Sequence, residues 1–147
     1  MKKSFLFLVS FFSLFLVECK KDNTVTASNT EMLTQHSWTF ESASQNGINV
    51  SSILRSCQRD NVFTFNADGN GAVSEGATKC DPSDPDSVPF TWQFQNNESV
   101  LLVSTIFFTG ADQTFQVSML TDDEMELETS FPGGGGGTST ISIRFHH

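Results

Sequence analysis

The chain has 147 residues and carries 8 Lys and Arg against 17 Asp and Glu, a formal net charge of −9. This acidic balance argues against nucleic acid and anionic membrane surfaces as electrostatic partners, because both are bound through a basic footprint, and it is read as a charge that favours solubility. The length is that of one domain, and its 15 Phe, with no Tyr, predict an aromatic core large enough to fold unaided.

The N-terminal segment has the pattern of a secretory signal. Lys2 and Lys3 precede an unbroken apolar run over residues 5–17. A run of 13 residues matches the apolar part of a signal peptide and is shorter than the about 20 residues of a membrane-spanning helix. We therefore predict a signal peptide over residues 1–18.

Cys19 follows this segment directly. Leu16-Val17-Glu18-Cys19 resembles the lipobox of bacterial lipoproteins, with Glu18 where that pattern has Gly, Ala or Ser, and Lys20-Lys21-Asp22 resembles the charged tether of exported Bacteroidota lipoproteins. The resemblance implies lipidation of Cys19, residues 19–30 as a flexible linker, and a lipoprotein of the cell envelope, in the outer membrane and facing the periplasm or the surface. The alternative is an ordinary signal peptide cut nearby, which leaves Cys19 as a free thiol.

Short helices are predicted before and after the first strand. Ser28-Asn29-Thr30-Glu31 has the S-x-x-E form of a capping box and predicts a helix through Gln35. Residues 38–40 form the first predicted strand. Residues 49–54 predict a second short helix or an irregular loop, because Val50, Ile53 and Leu54 have helical spacing.

From residue 62 onward the apolar residues alternate with polar ones, as in strands with one buried face. These predicted strands are residues 62–65, 71–74, 90–94, 100–107, 115–119, 125–129 and 141–145. Residues 66–69, 95–98 and 121–124 predict tight turns, residues 81–86 a rigid acidic loop, and residues 133–137 a flexible glycine loop.

The connections decide how these strands pair. Parallel strands need crossovers of a dozen or more residues, so the short turns favour antiparallel pairing. Eight such strands with one apolar face predict an all-β, eight-stranded, antiparallel up-and-down barrel, which removes exposed sheet edges. The interior of such a barrel is either packed by side chains or wide enough for one small ligand.

Several motifs within residues 31–145 resemble the small lipocalin-like lipoproteins of Bacteroidota. They are Leu33 with Trp38, Cys57 followed by Phe63-Thr64-Phe65-Asn66-Ala67-Asp68-Gly69, Cys80, Trp92-Gln93-Phe94, and Leu101 with Leu102. The chain departs at His36, where lipocalins usually carry Gly two residues before the first Trp. The resemblance implies a calyx-like, lipocalin-like barrel over residues 31–147.

The cysteines indicate an oxidising compartment. With Cys19 taken by lipid, Cys57 and Cys80 are the pair that remains for a disulfide. A redox or metal role is the poorer alternative, because the spacing is not CxxC and no His is close in sequence.

Aromatic and aliphatic residues of the strands are the candidate ligand-binding residues. They are Trp38, Phe63, Phe65, Phe90, Trp92, Phe94, Phe115, Met119 and Leu127, which we expect to line the barrel interior or its mouth. Two readings stay open: an apolar pocket for a small hydrophobe, or simply packed core. A shift of one residue in the register of a strand would place its listed side chains on the opposite face of the sheet.

Catalytic and metal sites find little support. Asp81, Asp84 and Asp86 could supply oxygen ligands for Ca²⁺, but the loop reads better as a solvated turn. His36 is expected at a helix-to-strand junction, and His146 and His147 at an exposed end. Glu126 and Glu128 share a strand face that we predict to be exposed to solvent, whereas the carboxylates of a glycosidase lie in a cleft. We predict no enzyme, no catalytic residue, no metal site and no cofactor.

Two functions from different classes follow. The first is an exported, membrane-anchored lipoprotein whose barrel binds a small hydrophobic ligand. The alternative is a non-enzymatic structural or protein-interaction component of a cell-envelope complex, in which loops on a rigid scaffold contact an unidentified partner protein.

Overall fold

A computed structural model describes residues 27–105, 107, 112–132 and 137–147. The predicted signal peptide, Cys19 and most of the predicted linker lie outside these residues, as does most of the predicted glycine loop. Within the described part of the chain, no helix is long and apolar enough to span a membrane.

Short helical segments lie near the start of the domain. They are α1 (Asn29–Gln35), a single 3₁₀ turn (Ser51–Ile53) and α2 (Ser56–Arg59). The strands are β1 (Ser37–Gln45), β2 (Ile48–Asn49), β3 (Val62–Phe65), β4 (Asn70–Ser74), β5 (Ser87–Gln95), β6 (Val100–Val103), β7 (Thr114–Leu120), β8 (Glu124–Pro132) and β9 (Thr138–His146).

The sheet closes into a ring of eight antiparallel strands. Neighbours follow the order β1, β3, β4, β5, β6, β7, β8 and β9, and β9 returns to pair with β1. The two-residue β2 adds to β1 at Ser44 and Gln45, outside this ring. Closure confirms the predicted all-β up-and-down barrel, and it follows from hairpin-length connections and one apolar face on each strand.

The barrel has two different ends. At the lower end lie α1 and the turns β3–β4, β5–β6 and β7–β8. At the upper end lie the β1–β2 turn, α2 and the long connection between β4 and β5. This division follows from the antiparallel order, because each strand reverses the direction of the one before it.

Helix α1 begins at a capping box and packs against the lower end of the barrel through Leu33. The predicted capping box is present: Glu31 N–H donates to Ser28 Oγ at 3.1 Å, and Ser28 N–H donates to Glu31 Oε2 at 2.8 Å. Leu33 is fully buried, and its carbonyl accepts a 2.9 Å hydrogen bond from Trp38 Nε1. The helix therefore packs a leucine beneath the core while satisfying the buried indole N–H.

A carboxylate from the β5–β6 turn reinforces this contact. Glu98 Oε2 accepts from Asn29 N–H at 2.8 Å, and Oε1 accepts from the Thr30 hydroxyl at 2.5 Å. Asn96, Asn97 and Glu98 all have positive φ, between 50 and 65°, a conformation that is costly for residues with a Cβ. The hydrogen bonds between Glu98 and the N-terminus of α1 hold the turn in this conformation.

At the upper end the predicted disulfide is confirmed. Cys57 of α2 is bonded to Cys80, with 5.1 Å between the Cα atoms. The Thr78 N–H donates to Asp60 Oδ2 at 3.0 Å beside this bond. Disulfide and hydrogen bond together attach the β4–β5 connection to α2.

Three local predictions were wrong or incomplete. Residues 49–54 contain a 3₁₀ turn, but β2 and α2 were not predicted. Strand β6 ends at Val103 instead of 107, although Ser104 N–H still donates to the Thr91 carbonyl at 2.8 Å. An apolar run alone did not show where the strand pairing stops, because buried non-strand residues have the same composition.

The third correction concerns β7. Its register against β8 shifts between Val117 and Met119, so that Met119 lies opposite Glu126 and Leu120 lies opposite Met125. The extra residue is Ser118, whose hydroxyl donates to the Glu126 carbonyl at 3.1 Å. Because the β-bulge adds one residue to β7, the side chains beyond it change faces. Leu120, not Met119, therefore packs against the core.

Candidate functional site in the barrel interior

The interior wall consists of the predicted aromatic residues. Eight of the nine predicted candidates pack into the core or against it, and Met119 is the exception for the reason given above. Phe94 is half-buried. The other seven expose 8% of their surface or less, and they are Trp38, Phe63, Phe65, Phe90, Trp92, Phe115 and Leu127.

The aromatic rings meet mainly edge to face. Phe65 lies 5.3 Å from Phe90 and 5.8 Å from Trp92, measured between ring centroids, with interplanar angles of 75° and 82°. Trp92 meets Phe94 at 5.6 Å in the same manner. Such pairs add about 0.5–1.5 kcal/mol each beyond the area they bury, so the described interior is a packed aromatic cluster.

Phe107 contributes to this cluster from outside the strands. It is 8% exposed and lies after the end of β6. Its ring is stacked on Phe115, with centroids 5.8 Å apart and planes 15° apart. Sequence reasoning missed it as a site residue, because it placed residue 107 at the end of a long β6.

Gly71 is a second residue that the sequence reasoning missed. It lies in β4 opposite Phe90 of β5, and the Phe90 ring lies directly over its Cα. A Cβ at this position would be 2.5 Å from Phe90 Cζ and 2.7 Å from the Thr64 carbonyl oxygen. Glycine within a strand is a known signal of such close approach, and it was available in the sequence.

The interior offers few polar groups to a ligand. Both indole N–H groups are used: Trp38 donates to Leu33, and Trp92 Nε1 donates to the Asn66 and Asn70 carbonyls at 3.1 Å each. Among the described residues, the buried polar one is Thr129, at 6% exposure. A molecule held here would be recognised by shape and apolar contact.

The charged groups of β8 and β9 lie on the outside of the barrel. Glu126 accepts hydrogen bonds from the Ser142 hydroxyl and from Arg144, whose Nη2 lies 2.8 Å from Oε2. Together these donors lower the pKa of Glu126, the Ser142 bond most of all. Ser142 and Arg144 therefore lie on the outer face of β9, and Glu126 forms a surface ion pair.

The three aspartates of the acidic loop make local contacts with residues of the same loop or just before it. Asp81 Oδ1 accepts from the Ser83 N–H and hydroxyl at 2.8 and 2.6 Å, Asp84 Oδ2 accepts from the Asp81 N–H, and Asp86 pairs with Lys79 Nζ at 2.6 Å. The pKa of Asp81 is lowered mainly by the Ser83 hydroxyl, and that of Asp86 by Lys79. In the described ranges no three His, Cys, Asp or Glu residues are grouped to hold a metal ion.

The histidines meet at the lower end. His36 ends α1 as predicted, at the junction with β1. His147 stacks on its ring at 4.1 Å and lies 3.2 Å from Asp123. The prediction of a merely exposed terminus was therefore incomplete, because His147 covers the edge of Trp38.

Shallow grooves on the outer surface are polar. One of about 370 Å³ follows β5 and β6 past Thr91, Gln93 and Ser104. Another of about 260 Å³ lies beside the Glu126–Arg144 pair and Ser44. The first groove also touches Trp92, Leu102 and Val103, and neither groove is lined by the Phe residues of the interior.

The family model of the lipocalin-like domain matches residues 34–127. The matched part covers well over half of the 147 residues, so the chain belongs to the lipocalin-like domain family. Comparison with curated protein sequences finds no match.

Solved structures similar to this chain include bovine odorant-binding protein in several forms. The protein from bovine nasal mucosa is 13% identical, with 82% of this chain and 74% of that chain covered and a TM-score of 0.45. Bovine odorant-binding protein complexed with its natural ligand is 14% identical, with 76% and 68% covered and a TM-score of 0.42. These likenesses are too distant to carry an inference about ligands.

Proposed function

We propose that this protein is a non-enzymatic binding module that holds a small hydrophobic ligand inside its barrel, anchored to a bacterial envelope membrane by lipid on Cys19. One observation carries the binding proposal: a closed ring of eight strands encloses an interior that is aromatic and almost free of polar groups. An eight-stranded barrel is just wide enough to be filled by its own side chains or to hold one small ligand.

The contacts within the interior determine how a ligand can enter and how polar it can be. The described inward-facing side chains already pack against one another, so a ligand enters by displacing part of this packing. It must be largely apolar, because buried polar groups are few in the described part of the chain: Thr129 is the buried polar residue, and Asp60, Asn61 and Glu75 each have one buried carboxylate or amide oxygen without a hydrogen-bond partner there. Fatty acyl chains, isoprenoids and aromatic pigments meet this requirement.

Native mass spectrometry and thermal shift test the binding. Protein isolated from its host should carry an apolar molecule, and a panel of fatty acids, isoprenoid alcohols and pigments should contain compounds that raise the Tm. A ligand present at 100 times its Kd stabilises by about 2.7 kcal/mol, which is a readily measured shift. The absence of any cargo and of any shift across the panel would refute the proposal.

Two neighbours in β6 give a matched pair of variants. Val103 faces inward and is 5% exposed, whereas Leu102 belongs to the opposite face and is half-buried. Val103→Phe adds bulk to the interior and should weaken ligand binding by about tenfold or more, since overpacking costs about 1–3 kcal/mol. Leu102→Phe should bind as the unmodified protein does.

The lipid anchor is tested separately. Two or more acyl chains give stable attachment, at about 0.8 kcal/mol per buried methylene. Cys19→Ala should therefore move the protein from the membrane fraction to the soluble one. The matched control is the double variant Cys57→Ala and Cys80→Ala, which removes the disulfide and should stay in the membrane fraction.

A component of an envelope complex is the second candidate function. It is favoured by exposed apolar residues beside the upper end: Ile48 and Ile53 are 72% and 74% exposed. Cross-linking from position 53 in the native host would trap a specific partner if this function is correct. A monomer with an occupied interior would instead favour ligand binding.

A further inference from the structure

Phe107 differs from every other member of the core cluster. The other members lie in the strands or, for Leu33, in α1. Phe107 reaches the interior from the connection that follows β6, and only 8% of its surface is exposed. Its ring therefore occupies barrel space without being part of the barrel wall.

Four wall residues surround this ring. Phe63, Phe90 and Phe65 meet it edge to face, with centroids 4.9, 5.3 and 6.3 Å away and interplanar angles of 65°, 72° and 80°. Phe115 stacks on it at 5.8 Å. We call these four residues the phenyl cage. Stacked and edge-on contacts of this kind are the arrangement that aromatic rings prefer.

We propose that the phenyl cage is a subsite for a single apolar aromatic ring, and that Phe107 fills it until a ligand displaces it. This inference rests on the proposed function and deepens it by naming the ligand class. The cage residues belong to β3, β5 and β7, so the ladder hydrogen bonds of the barrel hold their backbones in place whether or not the Phe107 ring is present.

The chemistry of the cage limits its ligand to a monocyclic, uncharged ring. Its walls are four phenyl groups, and none of them donates or accepts a conventional hydrogen bond. A cavity lined by apolar side chains stays dry and takes up benzene-like molecules. Because a ligand competes with Phe107, the affinity is reduced by the fraction of molecules in which that side chain has left the cage.

Truncation of Phe107 tests this proposal with toluene as the probe. Phe107→Ala should bind toluene at least about tenfold more tightly than the unmodified protein, because the competing ring is gone. Nuclear Overhauser contacts should join toluene to the Phe63 and Phe115 rings. Leu102→Ala is the matched control: it also truncates an apolar side chain, but on the face of β6 opposite the interior, and it should gain no toluene affinity.

A second variant covers the case in which Phe107→Ala does not fold. Phe107→Leu keeps most of the volume and should show a smaller gain, of about severalfold. A folded variant at position 107 that gains no affinity over the unmodified protein overturns the phenyl cage, even if the lipid panel binds. Toluene binding by the variants, with no binding of any panel compound by the unmodified protein, supports the cage and refutes the proposed function.

Discussion

At Gly71 the barrel wall makes room for the aromatic interior. The Phe90 ring would lie 2.5 Å from any added Cβ, and the Thr64 carbonyl oxygen 2.7 Å from it. The Thr64 carbonyl is fixed by strand pairing, and the Phe90 ring is packed against Phe65 and Phe107, so neither can move away cheaply. Gly71→Ala should lower the free energy of unfolding by about 1–3 kcal/mol, the usual cost of overpacking, as measured by urea denaturation.

The control for this substitution is Gly137→Ala. A Cβ at Gly137 has no atom within 4 Å, so this variant should be within about 0.5 kcal/mol of the unmodified protein. Equal effects at the two glycines would show that the close contact with Phe90 is not what requires Gly71.

Glu98 makes the stability of the lower end depend on pH. Hydrogen bonds from the Thr30 hydroxyl, and then from the Asn29 and Thr30 N–H groups, hold the pKa of Glu98 below its ordinary value of 4.5. Because the folded-state pKa is the lower one, the stabilisation is fully present above the unfolded-state pKa. It is lost as the pH falls through the folded-state pKa.

Glu98→Gln tests this dependence. The variant should lose about 1–2 kcal/mol of unfolding free energy at neutral pH, as expected for a charged hydrogen bond that is partly open to water. The difference from the unmodified protein should shrink as the pH falls below about 4. Asp122→Asn, at an exposed position in the β7–β8 turn, is the control and should show neither effect. A Glu98→Gln deficit that is unchanged in acid would contradict the role of its charge.

At the scale of the element, the bulge in β7 decides which side chains are inside. Leu120 packs against the core opposite Met125, and Met119 lies opposite Glu126. Leu120→Gln should therefore destabilise by about 1–3 kcal/mol, because it places an amide against apolar side chains. Met119→Gln should change the unfolding free energy by less than about 0.5 kcal/mol. Thermal unfolding of the two single variants distinguishes them, and the reverse order would mean that β7 has no bulge.

The disulfide stabilises the upper end as a cross-link between elements. Cys57 and Cys80 are separated by 23 positions, and closing a loop of this length contributes about 3 kcal/mol in the chain-entropy model. The double variant Cys57→Ala and Cys80→Ala should lose about that much unfolding free energy by urea denaturation. A reducing agent should destabilise the unmodified protein equally and leave the variant unchanged. An unmodified protein whose unfolding free energy does not fall in the reducing agent would contradict this role of the disulfide.

At the scale of the whole molecule, the sequence was sufficient for the barrel and for most of its interior. Phe90, Trp92 and Phe94 alternate with Thr91 and Gln93. Because successive side chains of a strand point to opposite faces of the sheet, this alternation places the three aromatic residues on the buried face. Short connections then leave antiparallel neighbours as the arrangement that the chain can reach. The motifs around Trp38 and Phe63 added the lipocalin-like domain family, which the match over residues 34–127 confirms.

The details that escaped prediction depend on contacts between distant residues. The bulge at Ser118 follows from the pairing of β7 with β8, which local alternation does not contain. The end of β6 and the inward position of Phe107 depend on where the neighbouring strands stop. Glu98 is 69 and 68 positions from the two helix residues, Asn29 and Thr30, whose N–H groups it accepts, so no local pattern marks it. The Cys19 anchor and the ligand remain proposals.

NMR of the methyl groups in the presence of a hydrophobic ligand tests most directly whether the barrel binds a ligand in its interior. Leu101, Leu127 and Ile143 are at most 2% exposed and face the interior, whereas Ile48 and Ile53 are more than 70% exposed on the outside. With saturating palmitic acid, or the panel compound that gives the largest thermal shift, the three interior residues should show Overhauser contacts to the ligand. Contacts confined to Ile48 and Ile53, or none to the interior methyl groups, would mean that the barrel holds no ligand.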